Sequence, residues 1–356
     1  MIKKLAHLAN EIRAIEGDES LFEEANFPGR SEAIDFLDFH VIDRINGLLE
    51  QSGSQPDMEL LRARAERIKA ELEKIDTRLF ERVRCEIAAC VRPGSFEPMI
   101  RGLLDNAAAT DERGYDVLDT FVNGLFSDRP LPAETKALTP GMVSFHKTPV
   151  RIVFELIRLA EIGSDDVFFD IGSGLGQVVL LVNLLTGARA MGIEYEPAYC
   201  AYSVALASRL RLTDTEFINS DAREGDYSKG TVFFLYTPFE GGMLQDLLRL
   251  LQKESEVRVI RIFTYGPCSE KVAAENWLGC RNGIPLVAHH DDHVGRIQLT
   301  RCREDVPDDR HSGERMEHLG SLRLHACAAA RRENDDGEIL IGHSSILPQE
   351  QRTPPN

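Results

Sequence analysis

Phe168-Phe169-Asp170-Ile171-Gly172-Ser173-Gly174-Leu175-Gly176-Gln177, followed by the apolar run Val178-Val179-Leu180-Leu181-Val182, reads as a strand, a glycine turn and the start of a helix. Units of this kind bring backbone amides and a helix N-terminus up to a ligand, and glycine permits the close approach and the positive backbone dihedrals required. A dinucleotide fingerprint runs G-x-G-x-x-G. In this turn the third glycine comes one residue early and an aspartate stands two residues before the first. Asp170 suits a ligand that carries an ammonium; it does not suit a pyrophosphate.

Working outward, residues 190–194 form a second short apolar strand ending in Glu194, about 20 residues beyond the glycines, where a carboxylate can grip ribose hydroxyls. Residues 215–221 make a third strand, again ending in an acid, Asp221, with Ala222 after it. A single acid at a strand end is commonly no more than a helix cap. Three at successive strand ends argue for a shared ligand. A fourth strand, 231–236, runs into Thr237-Pro238-Phe239, and residues 257–267 supply a fifth. Residues 283–290 and 295–301 then read as two strands around a polar turn, so that strands alternating with helices close in an antiparallel hairpin.

The pattern Asp-Ile-Gly-Ser-Gly-x-Gly resembles motif I of the class I S-adenosylmethionine (SAM) methyltransferases. The longer run Asp170 to Leu180 is most similar to the Dot1-like lysine methyltransferases. The resemblance covers residues 144–265 and implies an α/β fold: a Rossmann-like seven-stranded methyltransferase sheet, here with an N-terminal all-α domain. It implies SAM as cofactor, held by Phe145, Thr148, Asp170, Gly172, Ser173, Gly174, Gly176, Gln177, Glu194, Asp221 and Ala222. Phe145, Thr148 and Pro149 fall in the segment just upstream of motif I that closes over the cofactor in such enzymes. Thr237, Pro238 and Phe239 take the place of the loop that flanks the methyl sulfonium, similar to the polar-Pro-Pro-aromatic loop of amino-methylating members but without the second proline. Phe239 is equally well read as a core residue. Protein lysine is the acceptor the resemblance implies, with a small molecule as the alternative and a non-catalytic SAM-binding scaffold as a rival. A nicotinamide-dependent oxidoreductase is disfavoured by the glycine spacing and the terminal hairpin.

The rest of the chain sets the frame. Its 356 residues suggest two folded units, a helical region over 1–140 and a methyltransferase domain over 141–303, followed by a polar, Pro-ended tail over 304–356 expected to be mostly disordered. In the first region apolar residues recur at helical spacing from Ile34 to Leu49 and from Leu60 to Ile75, with a break around Pro56; further helices are expected over 96–104 and 115–125. The formal net charge of −17 argues against a free-standing nucleic-acid binder. The seven scattered cysteines show no C-x-x-C spacing, which points to reduced thiols and a cytoplasmic setting. No apolar core of a signal peptide and no membrane-length run is seen. His289, His290, Asp291, Asp292 and His293 sit on a hairpin whose side chains alternate faces, so a polar turn is expected there and no metal.

Overall fold

Five parallel strands carry the molecule: β1 (Val167–Ile171), β2 (Arg189–Glu194), β3 (Thr215–Asn219), β4 (Val232–Tyr236) and β5 (Arg261–Tyr265), in the spatial order β3-β2-β1-β4-β5. The computed structural model describes residues 2–53, 55–89, 96, 100, 116–127, 129–280, 288–290, 293–295 and 298–302. All of these belong to one compact unit, residues 1–303. The expected tail, 304–356, lies outside the described residues, as does most of the expected helix over 96–104.

The strands are apolar on both faces because helices cover both. Phe168 and Phe234 pack into a core that faces α6 (Val150–Ala160), α7 (Gln177–Thr186) and α8 (Pro197–Leu210). Phe169, Phe233 and Leu235 point the other way, against α9 (Gly241–Val257) and α10 (Cys268–Ala273). Strand order reverses between β1 and β4, and in open sheets of this type ligands bind outside the carboxyl ends of the strands at such a point.

Beyond β5 the sequence expectation needs correcting. The strand next to the last one is β6 (Leu278–Cys280), which pairs antiparallel with β9 (Gln298–Cys302), and β9 pairs antiparallel with β5. Of the segment expected as a strand over 283–290, residues 283–287 lie outside the described residues, and Ala288–His290 form β7, paired with β8 (His293–Gly295) in a separate ribbon. Trp277 and Leu278, which pack against the core, are the apolar signal that the sequence reading passed over.

Among the described residues, the first 126 hold helices and no strand: α1 (Ile2–Glu16), α2 (Phe27–Asp35), α3 (Asp43–Ser52), α4 (Pro56–Ala89) and α5 (Val117–Phe126). The break between α3 and α4 falls where expected, with Gly53 at a φ of 75° and Pro56 opening the next helix. α4 runs on for 34 residues because nothing after Pro56 interrupts it. Its first half closes a separate helical core with Leu8, Ile12 and Leu37. Its second half, Leu79 to Ile87, joins Phe121 and the α6 and α7 side chains in the same core as the sheet.

One contact between helical region and sheet bears directly on the site. Asp119 in α5 is buried, and its carboxylate accepts from the Val150 N–H at 2.9 Å and from the Asp116 N–H at 3.0 Å, so it caps the first turn of α6. Burial pushes this carboxyl up to about 6 against those hydrogen bonds. Asp119→Ala leaves the Val150 amide without its partner and is expected to lower unfolding free energy by about 1–3 kcal/mol. Urea denaturation would read this as a lower midpoint at unchanged slope.

Candidate functional site

The turn after β1 has Gly172, Gly174 and Gly176 at φ of 84°, 52° and 79°, in the left-handed region where a side chain is strained. Space forbids one as well. A Cβ on Gly174 would collide with the Phe145 ring, and one on Gly172 would lie 2.5 Å from the Pro238 Cβ. The turn therefore lets Phe145 and Pro238 close in from either side. Gly172 and Ser173 both donate their N–H to the Ile193 carbonyl, at 2.9 and 3.0 Å, which ties the turn to the end of β2. Gly176 precedes α7, and no side chain caps that helix start. Its first-turn amides stand beside the cavity as a partial positive charge.

Glu194, at the end of β2, is buried and spans the turn. Its Oε2 accepts from the Gly174 N–H at 2.7 Å and its Oε1 from the Glu196 N–H at 2.7 Å. Burial raises its pKa, with these amides pulling the other way. Asp170 is buried at the end of β1, where desolvation, with the Glu194 charge next, pushes its carboxyl up to about 8. The buried Ser173 Oγ has no hydrogen-bond partner. Asp170, Ser173 and Glu194 all line one cavity of about 500 Å³, within the usual range for a cofactor pocket.

Asp221 and Ala222 reach the same cavity from the end of β3. Asp221 turns toward Arg223, accepting from its guanidinium at 2.7 and 3.0 Å, and this bond holds its carboxyl below the usual range. Gln177 and Thr148 meet each other: the Gln177 Nε2 donates to the Thr148 carbonyl at 3.0 Å, so that glutamine pins the segment before α6. Phe145 lies against Tyr199, with ring centroids 5.2 Å apart. His146 is exposed, while Lys147 is half-buried, donates to Asn123 Oδ1 at 2.7 Å, and has its pKa lowered by burial against the pull of Asp119.

Thr237, Pro238 and Phe239 all line the cavity, but the side chains of Thr237 and Phe239 are directed inward. Thr237 is a non-glycine residue at a φ of 39°, and its buried hydroxyl donates to the Tyr265 carbonyl at 3.2 Å. Phe239 is 4% exposed and belongs to the core under α9, in keeping with the core reading of that residue. Pro238 offers its carbonyl to the Val143 N–H at 3.1 Å.

The sequence reading missed three residues here. Tyr236, the last residue of β4, lines the cavity and packs on Tyr265 at 5.0 Å between ring centroids, with both phenols raised by burial. Tyr199 and Glu196 flank the start of α8, where Glu196-Pro197 is a cap-and-first-turn signature that could have been read. Their position beside residues 134–136 follows only from folding.

Residues 145–231 match the model of a family described as histone methylation protein DOT1. The matched stretch runs from Phe145 through the glycine turn, Glu194 and Asp221, and the resemblance to a Dot1-like class I methyltransferase is borne out. That family is SAM-dependent, and the cofactor expectation stands with it. Solved structures similar to the chain include an RNA methyltransferase from Salinibacter ruber in complex with S-adenosyl-L-homocysteine, at 24% identity and a TM-score of 0.37, covering 46% of this chain and 98% of that one. Another is geranyl diphosphate C-methyltransferase from Streptomyces coelicolor, at 16% identity and a TM-score of 0.34, covering 43% and 75%. A third is magnesium protoporphyrin IX methyltransferase from Synechocystis with bound SAM, at 11% identity and a TM-score of 0.35, covering 43% and 77%. No curated protein matches the chain. Among the described residues, no helix is long and apolar enough to cross a membrane.

Proposed function

We propose that this chain is a SAM-dependent methyltransferase that transfers a methyl group to an acceptor nucleophile, with a protein lysine amine as the acceptor. The observation that carries the reading is the convergence of Asp170, Glu194 and Asp221 on one cavity around a glycine turn, within the stretch that matches the DOT1 model.

The residues fit the cofactor. Asp170, held largely protonated by its surroundings at neutral pH, gains a partner if an ammonium enters beside it. Ser173 Oγ, buried and unsatisfied, can bond to a polar ligand. Glu194 keeps lone pairs beyond the two amides it accepts, enough for ribose hydroxyls. Phe145 closes over the turn, Ala222 and Asp221 would hold the cofactor's purine, and Gln177 and Thr148 keep the upstream segment in place. When bound, SAM supplies an electrophilic methyl group on a sulfonium. The chain contributes orientation and exclusion of water, the main terms available for a direct displacement. An amine acceptor must arrive unprotonated, and a site walled by Tyr236 and Pro238 favours loss of its proton by desolvation. Thr237, Pro238 and Phe239 act as the frame of that wall.

The same reading takes β6 and β9 as the antiparallel end of a seven-stranded sheet, residues 1–140 as a helical domain that shapes the acceptor side, residues 141–303 as the methyltransferase domain, and the setting as cytoplasmic. It is tested by incubating the purified chain with radiolabelled SAM and fractionated cell lysate. Label in protein, recovered as methyl-lysine after hydrolysis, is the expected result. Label confined to small molecules would replace the acceptor, and absence of label despite tight SAM binding would leave a cofactor-binding scaffold.

A further inference from the structure

Residues 129–149 join α5 to α6 and form one wall of the cavity, yet they contain no helix or strand beyond a bridge between Met142 and Phe239. Leu131 and Leu138 are 55% and 47% exposed, so apolar burial does little to hold residues 129–138, whereas Met142 and Phe145 pack the later part of the strap against the core. Its first half is held by polar contacts to the start of α8. Glu196 Oε2 accepts from the Thr135 and Lys136 N–H groups at 2.9 and 2.8 Å, and Oε1 accepts from the Thr135 hydroxyl at 2.5 Å. The Lys136 ammonium donates to the Tyr195 carbonyl at 3.3 Å and lies 3.9 Å from the centre of the Tyr195 ring. The Tyr199 hydroxyl donates to Glu134 at 2.9 Å.

The second half is anchored elsewhere, through Val143 N–H to the Pro238 carbonyl at 3.1 Å and Glu240 N–H to the Gly141 carbonyl at 2.7 Å. Between the halves stand Pro140 and Gly141, the latter at a φ of 97°. Glu196 also connects to the glycine turn, because its own N–H binds Glu194, whose other oxygen holds the Gly174 N–H.

We propose that Glu196 is a positioning residue whose carboxylate latches residues 129–138 over the cavity, and that release of this latch about Pro140 and Gly141 admits the cofactor and lets it leave. The assignment rests on the SAM reading for the identity of that ligand. A segment held by hydrogen bonds and few buried apolar contacts opens locally without the rest of the chain unfolding. The hydrogen bonds at Glu196 are charge-assisted and so stronger than bonds between neutral groups, and three of them meet on one carboxylate, which can therefore govern the opening equilibrium. Glu196 stays ionised throughout: although burial opposes its charge, the donors from Thr135, Ala198 and Lys136 hold it at about 2. The latch is therefore released by motion, with no titration near neutral pH.

The test uses Glu196→Ser in the full chain. Serine is a good N-cap and keeps the start of α8, where Glu196 accepts from the Ala198 N–H at 2.9 Å, but it is too short to reach Thr135. Glu196→Gln, which keeps one acceptor oxygen, is the intermediate variant. Hydrogen–deuterium exchange without ligand is expected to show residues 130–138 exchanging at least about tenfold faster in Glu196→Ser, with α8 and β1 as in the parent chain. Surface plasmon resonance with S-adenosylhomocysteine is expected to show dissociation accelerated by about tenfold, association also accelerated, and the equilibrium constant changed less. Unchanged exchange over 130–138 would overturn the latch. A loosened strap with an unchanged dissociation rate would also overturn it, as would faster exchange throughout the chain, the mark of a general structural role. Failure of the parent chain to bind S-adenosylhomocysteine would sink the SAM reading instead, and the ligand-free exchange would still decide whether Glu196 holds the strap.

Discussion

The Gly174→Arg chain is expected to lose SAM affinity by at least about 100-fold and to transfer no methyl group. Two effects add. Gly174 sits at a φ of 52°, where any side chain costs about 1–2 kcal/mol, and its Cβ would overlap the Phe145 ring that closes the turn. Relieving that overlap moves either Phe145 or the Gly174 N–H that Glu194 holds. The long cationic side chain would also enter the space beside Asp170 and Glu194, which the proposed reading gives to the cofactor's ammonium and ribose. Each 1.4 kcal/mol is a factor of ten, so the sum passes 100-fold without difficulty. Calorimetric titration reads the affinity. Gly163→Ala serves as the control, since a Cβ there meets nothing within 4 Å and is expected to leave binding unchanged. Near-parental affinity in Gly174→Arg would reduce the glycine turn to a strand-to-helix connection with no ligand.

The second large effect is a proton. Because burial and the Glu194 charge lift Asp170 from 3.8 to about 8, the folded chain without ligand holds one more proton than the unfolded chain between those values. Stability contributed by this group is accordingly full at low pH and declines as pH rises through that window. An ammonium bound beside Asp170 favours its ionised form, so SAM binding near pH 6 is expected to release about one proton. Affinity should then rise by up to about tenfold per pH unit from pH 5 toward 8, and fall again above that as the cofactor's own α-amino group, with a pKa of about 8, loses its charge. Titrations in buffers of different ionisation enthalpy measure the proton directly. Asp170→Asn is expected to bind about 10–100-fold more weakly at pH 8 and to show no proton release from this site. A parental chain with pH-independent affinity and no proton release would remove Asp170 from ammonium recognition.

Much of the cavity wall around the glycine turn was legible along the chain because it depends on local chemistry. The three glycines each need a positive φ, and an acid at each of three strand ends is a one-dimensional pattern. The acceptor side was not legible in the same way. Thr237 has a polar oxygen in the expected place, but the turn at a φ of 39° and the nearby Tyr265 carbonyl direct it inward. Phe239, which could have faced an acceptor, is drawn into the core by Met243 and Leu244 on α9. Tyr236, three residues before Phe239 and the last of β4, lines the cavity from the sheet face opposite Leu235, since alternate residues of a strand point to opposite faces. Of the two terminal strands expected, the one over 295–301 corresponds to β9, whereas the pairing with it expected of the apolar run 283–290 is made by Leu278–Cys280.

The glycine turn and its acids could be read from neighbours in sequence, since backbone dihedrals and strand-end positions are local properties. What covers that turn could not. Thr135 and Glu196 are far apart along the chain, and nothing about either residue alone indicates that one would hold the other over the cavity. Their meeting depends on where α5 and α8 come to rest in the shared core, a matter of packing between distant segments, and so the wall, the latch and the direction of each loop side chain appear only once the chain is folded.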